Sequence, residues 1–516
     1  MNLREKVESL VRYCAQYQSH GYMMDERNLN EEFNILMPEE ANIRKNIESY
    51  KVILLTGEAG DGKSRILRNI EPLLKQYHFS DPCQDFSALT EEDKVRLIER
   101  LKAVLDGVSD ERLIILANIG VFTQVIIQYD IALMEKLTFA RSDVYICNFE
   151  NRNLAENPKT FEHIVTSFLD CDMYCPQQDC SCHTACIYKK NIEKIKTDSG
   201  LEAVRTICNA LYLIGGHITF RELLSLIAYI ITFGQDCQER RDYINKGNLL
   251  ESVAYYNVFQ NSDDALLGKI SNMDPALKRD KTKSYVDDSK EEYIRYRRKL
   301  FFDQKDMQYE LLNIDYLVEF HDVLEYIDRP PYYYDTIHEK NSTLQMLKRG
   351  INKINNKGKS DTGLIVTDTP IILGNKIRTE FLVMQDISMI WHRYDLQIGC
   401  ENRSSEKKWN RFYLSYFPDT DENTLISLLI DYPQFKYLMM CSKDYFLNRN
   451  ELTVEEYAVN TFYRKILQVQ ERAYDSIVIR FEEKGKDICD FSLTVHSERN
   501  LFNHDQKQTI RIRRED

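Results

Sequence analysis

The residues with the clearest chemical purpose are Gly57-Glu58-Ala59-Gly60-Asp61-Gly62-Lys63-Ser64, which satisfy G-x-x-x-x-G-K-[ST]. In such a string the glycines let the backbone curl round phosphates with its N–H groups turned inward, where the dipole of a following helix favours negative charge. Lys63 is then placed to reach β- and γ-phosphates, and the Ser64 hydroxyl to coordinate Mg²⁺. Arg65, next along, completes the candidate nucleotide-contacting set. The cofactors implied are ATP and Mg²⁺.

Hydrolysis needs more than binding. A hydrolytic site of this kind ends a nearby core strand with acids that hold the Mg²⁺ water shell and activate the attacking water. Here the strand reads Leu113-Ile-Ile-Leu-Ala-Asn118, with Ala117 and Asn118 in those places. An amide orients a water but cannot take its proton. Asn118 is therefore a catalytic candidate of reduced power, with Asp85 and Glu150 as substitute acids. Asn148 and Asn151 stand where a γ-phosphate sensor often lies, or simply satisfy a strand-end turn, and Arg152 is their neighbour. Arg221 is the candidate lid arginine, its alternative being a solvated or structurally paired side chain. Arg295, Arg297 and Arg298 read as a surface basic run, or as a finger acting in trans within a homo-oligomer.

A second cluster is cysteine-rich. CDMYCPQQDCSCHTAC, from Cys171 to Cys186, can close a tetrahedral Zn²⁺ site through Cys175, Cys180, Cys182 and Cys186. An iron–sulfur cluster takes the same ligands, and uncoordinated thiols are the plain alternative. A closed thiolate site would fold the insertion rather than catalyse.

These residues need a scaffold. KVILLT before the loop, LIILANIGVF from Leu113 and DVYICNF from Asp143 are apolar runs that read as strands buried on both faces, alternating with helical stretches. That rhythm predicts an α/β P-loop NTPase core with a three-layer parallel sheet over 49–167. Residues 1–48 read as a polar helical segment able to cap a nucleotide base, 168–190 as the cysteine-rich insertion, and 191–335 as a helical lid. In the lid, Thr219-Phe-Arg-Glu222 has the form of a capping box. Residues 336–516 read as a C-terminal α+β domain, with a helix opened by Thr453. DSIVIRFEE, ICDFSLTVH and QTIRIRRED alternate at period two and predict a small antiparallel sheet.

Composition limits the function. The formal charge of −13 opposes a protein that coats nucleic acid by bulk electrostatics, so any DNA contact must be local or shared with partners. The amino terminus lacks a signal-peptide pattern, and the run LLSLIAYIITFG is far short of the roughly 20 residues of a membrane span. A cytoplasmic protein that makes no membrane contact is expected. In a reducing compartment its 13 cysteines read as thiols or metal ligands rather than disulfides.

Taken in order, LTGEAGDGKS, LANIGVF, CNFENRNL, the cysteine-rich stretch, GHITFRELLSLIAYIITFGQDC, YYNVFQ followed by MDPA, and YRRKLFF resemble one family. It is the DptF-type NTPase component of phosphorothioation-dependent DNA restriction in bacterial phage defence. The resemblance covers roughly residues 50–302 and does not reach the C-terminal part. It implies an ATP-driven member of a multi-protein system acting on DNA that lacks the protective sulfur. DNA would be met through companion restriction proteins, and Asn118 would be a family feature. The alternatives are a nucleotide-gated assembly scaffold with little hydrolysis, and a nucleic-acid-binding adaptor.

Overall fold

The computed structural model describes residues 1–18, 36–138, 142–176, 186–247, 253–260, 264–278, 290–327 and 342–354, and then 364–367, 371–373, 377–385, 390–392, 410–416, 426–443, 453–470, 476–483, 489–499 and 506–515. It divides into two compact units, 1–314 with 395–408, and 315–394 with 409–516.

The first unit is built on three parallel strands, β1 (Val52–Thr56), β2 (Leu113–Ala117) and β3 (Val144–Asn148), in the order β2-β1-β3. Val52 is level with both Leu113 and Val144, and Thr56 with Ala117 and Asn148, so the three strands end together. Every residue of β1 and β2 is buried, because helices cover both faces. Side chains alternate along a strand. Val52 and Leu54 therefore join Leu113, Ile115, Val144 and Ile146 in one core, while Ile53 and Leu55 join Ile114, Leu116, Tyr145 and Cys147 in the other.

Helices α1 (Leu3–Gln18) and α2 (Pro38–Asn46) precede β1, and α3 (Lys63–Gln76) follows it. α2 and α3 cover the second core, tied by Arg44 to the Asn69 carbonyl at 2.6 Å and by Asn69 to Glu40 at 2.9 Å. The first core is covered by α4 (Glu91–Leu105), α5 (Ile119–Tyr129) and α6 (Ile131–Thr138). This is the α/β layering read from the apolar runs. The segment carrying Cys83 adds an isolated parallel bridge to Ile115 of β2.

The rest of the unit is helical: α7 (Pro158–Phe168), α8 (Ile187–Ile195), α9 (Asp198–Leu213), α10 (Phe220–Thr232), α11 (Cys237–Asn245), α12 (Ala254–Asn257), α13 (Ala265–Asn272), α14 (Lys290–Asp303) and α15 (Gln308–Leu311). α10 starts where the capping box predicts: the Glu222 N–H donates to Thr219 Oγ1 at 3.2 Å, and the Thr219 N–H donates to the Glu222 carboxylate at 2.8 Å. The amino-terminal helix lies on α10, with Tyr13 edge-on to Phe168 at 4.9 Å and Ser225 donating to the Tyr13 carbonyl at 3.3 Å. Its packing partner is thus the helical part.

Two of the three arginines in the EEYIRYRRKLFF segment correct the surface reading. Arg297 and Arg298 are buried. Arg298 forks onto Asp274, with Nη2 at 2.6 Å from Oδ2, and donates to the carbonyls of Tyr256 and Phe259. Arg297 donates to the Pro275 carbonyl at 3.2 Å. A guanidinium so occupied joins α14 to the 274–276 turn and is not displayed for a neighbouring subunit.

The second unit begins after Ile314, earlier than the boundary read from composition. The reason is α16 (Leu317–Ile327), whose Phe320 packs within the same unit against Phe412, Tyr432 and Phe435 at 5.1–6.2 Å. With α17 (Ser342–Ile354), α18 (Tyr432–Ser442) and α19 (Val454–Gln470) it supplies the helices of this unit. α17 meets α18 closely at Gly350, where an added Cβ would lie 2.3 Å from the Leu438 carbonyl oxygen. Thr453 caps α19 by accepting the Glu456 N–H at 3.2 Å.

The strands here are β4 (Leu364–Thr367), β5 (Ile371–Leu373), β6 (Ile377–Gln385), β7 (Ile390–His392), β8 (Phe412–Tyr416), β9 (Ile426–Ile430), β10 (Ser476–Glu483), β11 (Cys489–Arg499) and β12 (Gln506–Glu515). One antiparallel sheet runs β12-β11-β10-β6-β4 with β5 also on β6, and a second runs β7-β8-β9. The antiparallel unit expected at the carboxyl end is present, enlarged by strands from 364–385. Among the described residues no helix is long and apolar enough to cross a membrane.

Candidate functional site

The loop between β1 and α3 takes its shape from three glycines with positive φ: Gly57 at 146°, Gly60 at 101° and Gly62 at 93°. L-residues with a Cβ rarely adopt such angles. Gly62 is also the N-cap of α3, with no side-chain cap on the first turn, so the helix start is left to another acceptor. Lys63 is half-buried and Ser64 exposed in that turn.

Lys63 curls back, its Nζ donating to the carbonyls of Gly57 at 2.6 Å and Glu58 at 2.7 Å. Burial lowers its pKa, against the opposing pull of Asp61, Asp85 and Glu150 and in the same sense as Arg152. Both acids offered as substitutes by the sequence thus act electrostatically on this lysine. Glu150 has its own pKa raised, by burial first and then by Glu58 and Asp61, while His217 and Lys63 pull it down. Asp85 also caps a short 3₁₀ turn, accepting the Ser87 N–H at 2.9 Å.

Asn118 stands at the end of β2, beside the loop, since the Gly57 N–H donates to the Ala117 carbonyl at 3.3 Å. Its side-chain oxygen caps α5, accepting from Gly120 N–H at 3.0 Å and Val121 N–H at 3.3 Å. That use is structural, and it commits the only atom with which the amide could accept a hydrogen bond from water. Asn148 likewise takes the strand-end role, accepting the Glu150 N–H at 3.1 Å. The Asn151 side chain lies outside the described residues.

The helical part comes down onto the loop at several points. The Arg221 N–H donates to the Gly60 carbonyl at 3.1 Å, and a Cβ on Gly60 would lie 3.0 Å from that of Arg221. Arg65 of α3 sits over the Phe220 ring at 5.6 Å. The lid arginine of the sequence reading is thus brought to the loop, exposed, by the start of α10. Arg295 is half-buried on α14.

The sequence reading named Asp61 and Arg152 but passed over His217, which meets Asp61 at the centre of this arrangement. Asp61, with its side chain fully buried, accepts from His217 Nε2 at 2.8 Å on Oδ1 and from the Glu58 N–H at 2.7 Å on Oδ2. Arg152, also buried, donates through Nη2 to the Asp61 carbonyl at 2.7 Å and stands 3.8 Å from Oδ1, with its guanidinium over the Phe149 ring at 4.6 Å. A histidine 156 positions from its carboxylate leaves no periodic signal. The one available clue was an acidic residue in a loop built for anions, which requires a neutralising partner.

Of the proposed metal ligands, Cys175 and Cys186 are half-buried, while Cys180 and Cys182 lie outside the described residues. Among the described residues no group of three or more His, Cys, Asp or Glu side chains is gathered in a way that would hold a metal. The first part of the insertion is anchored: the Leu3 N–H donates to the Tyr174 carbonyl and the Asp172 N–H to that of Met1. Comparison with protein-family models, curated proteins and solved structures returns no match to this chain.

Proposed function

We propose that this protein binds ATP with Mg²⁺ at the Gly57–Ser64 loop and works as a P-loop NTPase. The observation that carries the reading is the uncapped start of α3, preceded by glycines at positive φ and followed at once by Lys63 and Ser64. Such a turn presents N–H groups and a helix dipole to an anion. Lys63 would exchange two loop carbonyls for β- and γ-phosphate oxygens, Ser64 would hold Mg²⁺, and Arg221 lies over the loop for the developing charge. Glu150 and Asp85 are the acids for water activation.

The resemblance extends this to a role in anti-phage DNA restriction, in which companion proteins meet DNA lacking phosphorothioate. Zinc in the cysteine-rich insertion belongs to the same proposal, and loss of bound zinc from Cys175→Ser, by elemental analysis, is its check.

The test is titration of Mg-ATP into the full chain and into Lys63→Ala. Saturable binding is expected in the first and its loss, with the fold retained by circular dichroism, in the second. Equal binding by both would overturn the assignment. A second reading, nucleotide-gated assembly with little turnover, is favoured by one observation: the Asn118 oxygen is engaged in capping α5. Phosphate release measured alone, with DNA and with companion proteins separates the two.

A further inference from the structure

We infer that His217 is a positioning residue for the phosphate loop, acting through the buried Asp61 carboxylate to hold the Glu58–Asp61 segment against the helical part and to keep that carboxylate from claiming Lys63. The inference rests on the triphosphate reading of the loop.

A carboxylate with no solvent contact, placed inside an anion-binding loop, is doubly unfavourable: it has lost its hydration and it repels the ligand. It persists only with its lone pairs engaged. The Glu58 N–H and His217 Nε2 do this from the loop itself and from the connection before α10, and the Arg152 guanidinium stands 3.8 Å from Oδ1, beyond the turn that follows β3. A further cation that feels the loop carboxylate, and that the chemistry requires elsewhere, is Lys63. Without the imidazole, Asp61 Oδ1 lacks its hydrogen-bond donor; Arg152, 3.8 Å away, is held on the Asp61 carbonyl, and Lys63, which already feels the Asp61 charge, is drawn towards it instead. A lysine drawn onto Asp61 is withdrawn from the phosphates.

The geometry also makes the contact a coupling element. His217 lies two residues before the capping Thr219 and four before Arg221, whose N–H holds the Gly60 carbonyl. An added Cβ on Gly60 would lie 3.3 Å from Thr219 Oγ1. One short segment therefore touches the loop at Asp61 and Gly60 and also forms the start of α10.

The experiment uses the full chain as wild type, Lys63→Ala, His217→Ala, His217→Gln, Asp61→Asn and the Asp61→Asn/His217→Ala double variant. Mg-ATP affinity is measured by calorimetry, and amide exchange in the absence of nucleotide. A hydrogen bond to a buried charge implies a loss of at least about tenfold in affinity for His217→Ala. Glutamine, whose amide N–H can replace Nε2, should restore most of it. In Asp61→Asn, whose side chain no longer carries charge, the further change to alanine at 217 should have little effect. Exchange at the Glu58 amide should quicken in His217→Ala while β1 stays protected. Wild-type affinity in His217→Ala, equal losses for alanine and glutamine, an equal loss in the Asp61→Asn background, or unchanged Glu58 exchange would each overturn the inference while leaving the triphosphate reading intact. Absence of saturable binding by the wild type would overturn both.

Discussion

Glu150 shows how a single residue reports on its surroundings. Burial and the neighbouring Glu58 and Asp61 hold its carboxyl above the ordinary 4.5, so the folded protein keeps a proton there that the unfolded chain has released. The sign follows: its contribution to stability is complete below the ordinary carboxylate pKa and is lost as pH rises through the raised value. Glu150→Gln, which carries no charge at any pH, should therefore melt higher than wild type at neutral pH. The two melting curves should converge in acid, and a gap independent of pH would contradict this account. Among the site residues, Gly57 to Ser64 were legible because their chemistry is local. Asn118 was legible as a position, but its helix-capping role depends on where α5 begins.

At the scale of elements, two contacts deserve direct tests. The Thr219 capping box starts α10 beside Gly60, so Thr219→Ala should cost about 1 kcal/mol by denaturant melt and also weaken Mg-ATP binding. A loss of stability alone, with affinity untouched, would show that the helix start does not set the loop. Arg298 is the opposite case, far from the loop in role. Removing a buried guanidinium leaves Asp274 uncompensated, and Arg298→Ala should destabilise by about 3–5 kcal/mol. Because the sequence read YRRKLFF as a surface run, this outcome separates the two descriptions by a wide margin. The strands were readable from apolar runs and from period-two alternation, since both reflect burial on two faces or one. The arginines were not, because charge patterning cannot distinguish a solvated cation from one folded onto a distant aspartate.

For the whole molecule, the division after Ile314 predicts two unfolding transitions in calorimetry. Mg-ATP at about a hundredfold above its dissociation constant would stabilise the first unit by about 2.7 kcal/mol and leave the second where it was. Equal shifts in both transitions, or none, would count against a nucleotide site confined to the first unit. The boundary itself eluded composition: α16 belongs to the second unit because Phe320 finds Phe412 and Phe435, a choice among aromatic partners that no linker signal records. By itself, then, the sequence determined the parallel core, the glycine turn and its lysine, the capped start of α10 and the alternating C-terminal strands. Each of these follows from residues within a few positions of one another, through backbone freedom, hydrogen-bond reach and periodic burial. Only the tertiary structure decided that His217 and Arg152 meet Asp61, that Arg298 is buried, and that Glu150 and Asp85 act on Lys63. Those contacts meet charges removed from water, and the partner that does so is set by how the chain packs rather than by its order along the chain.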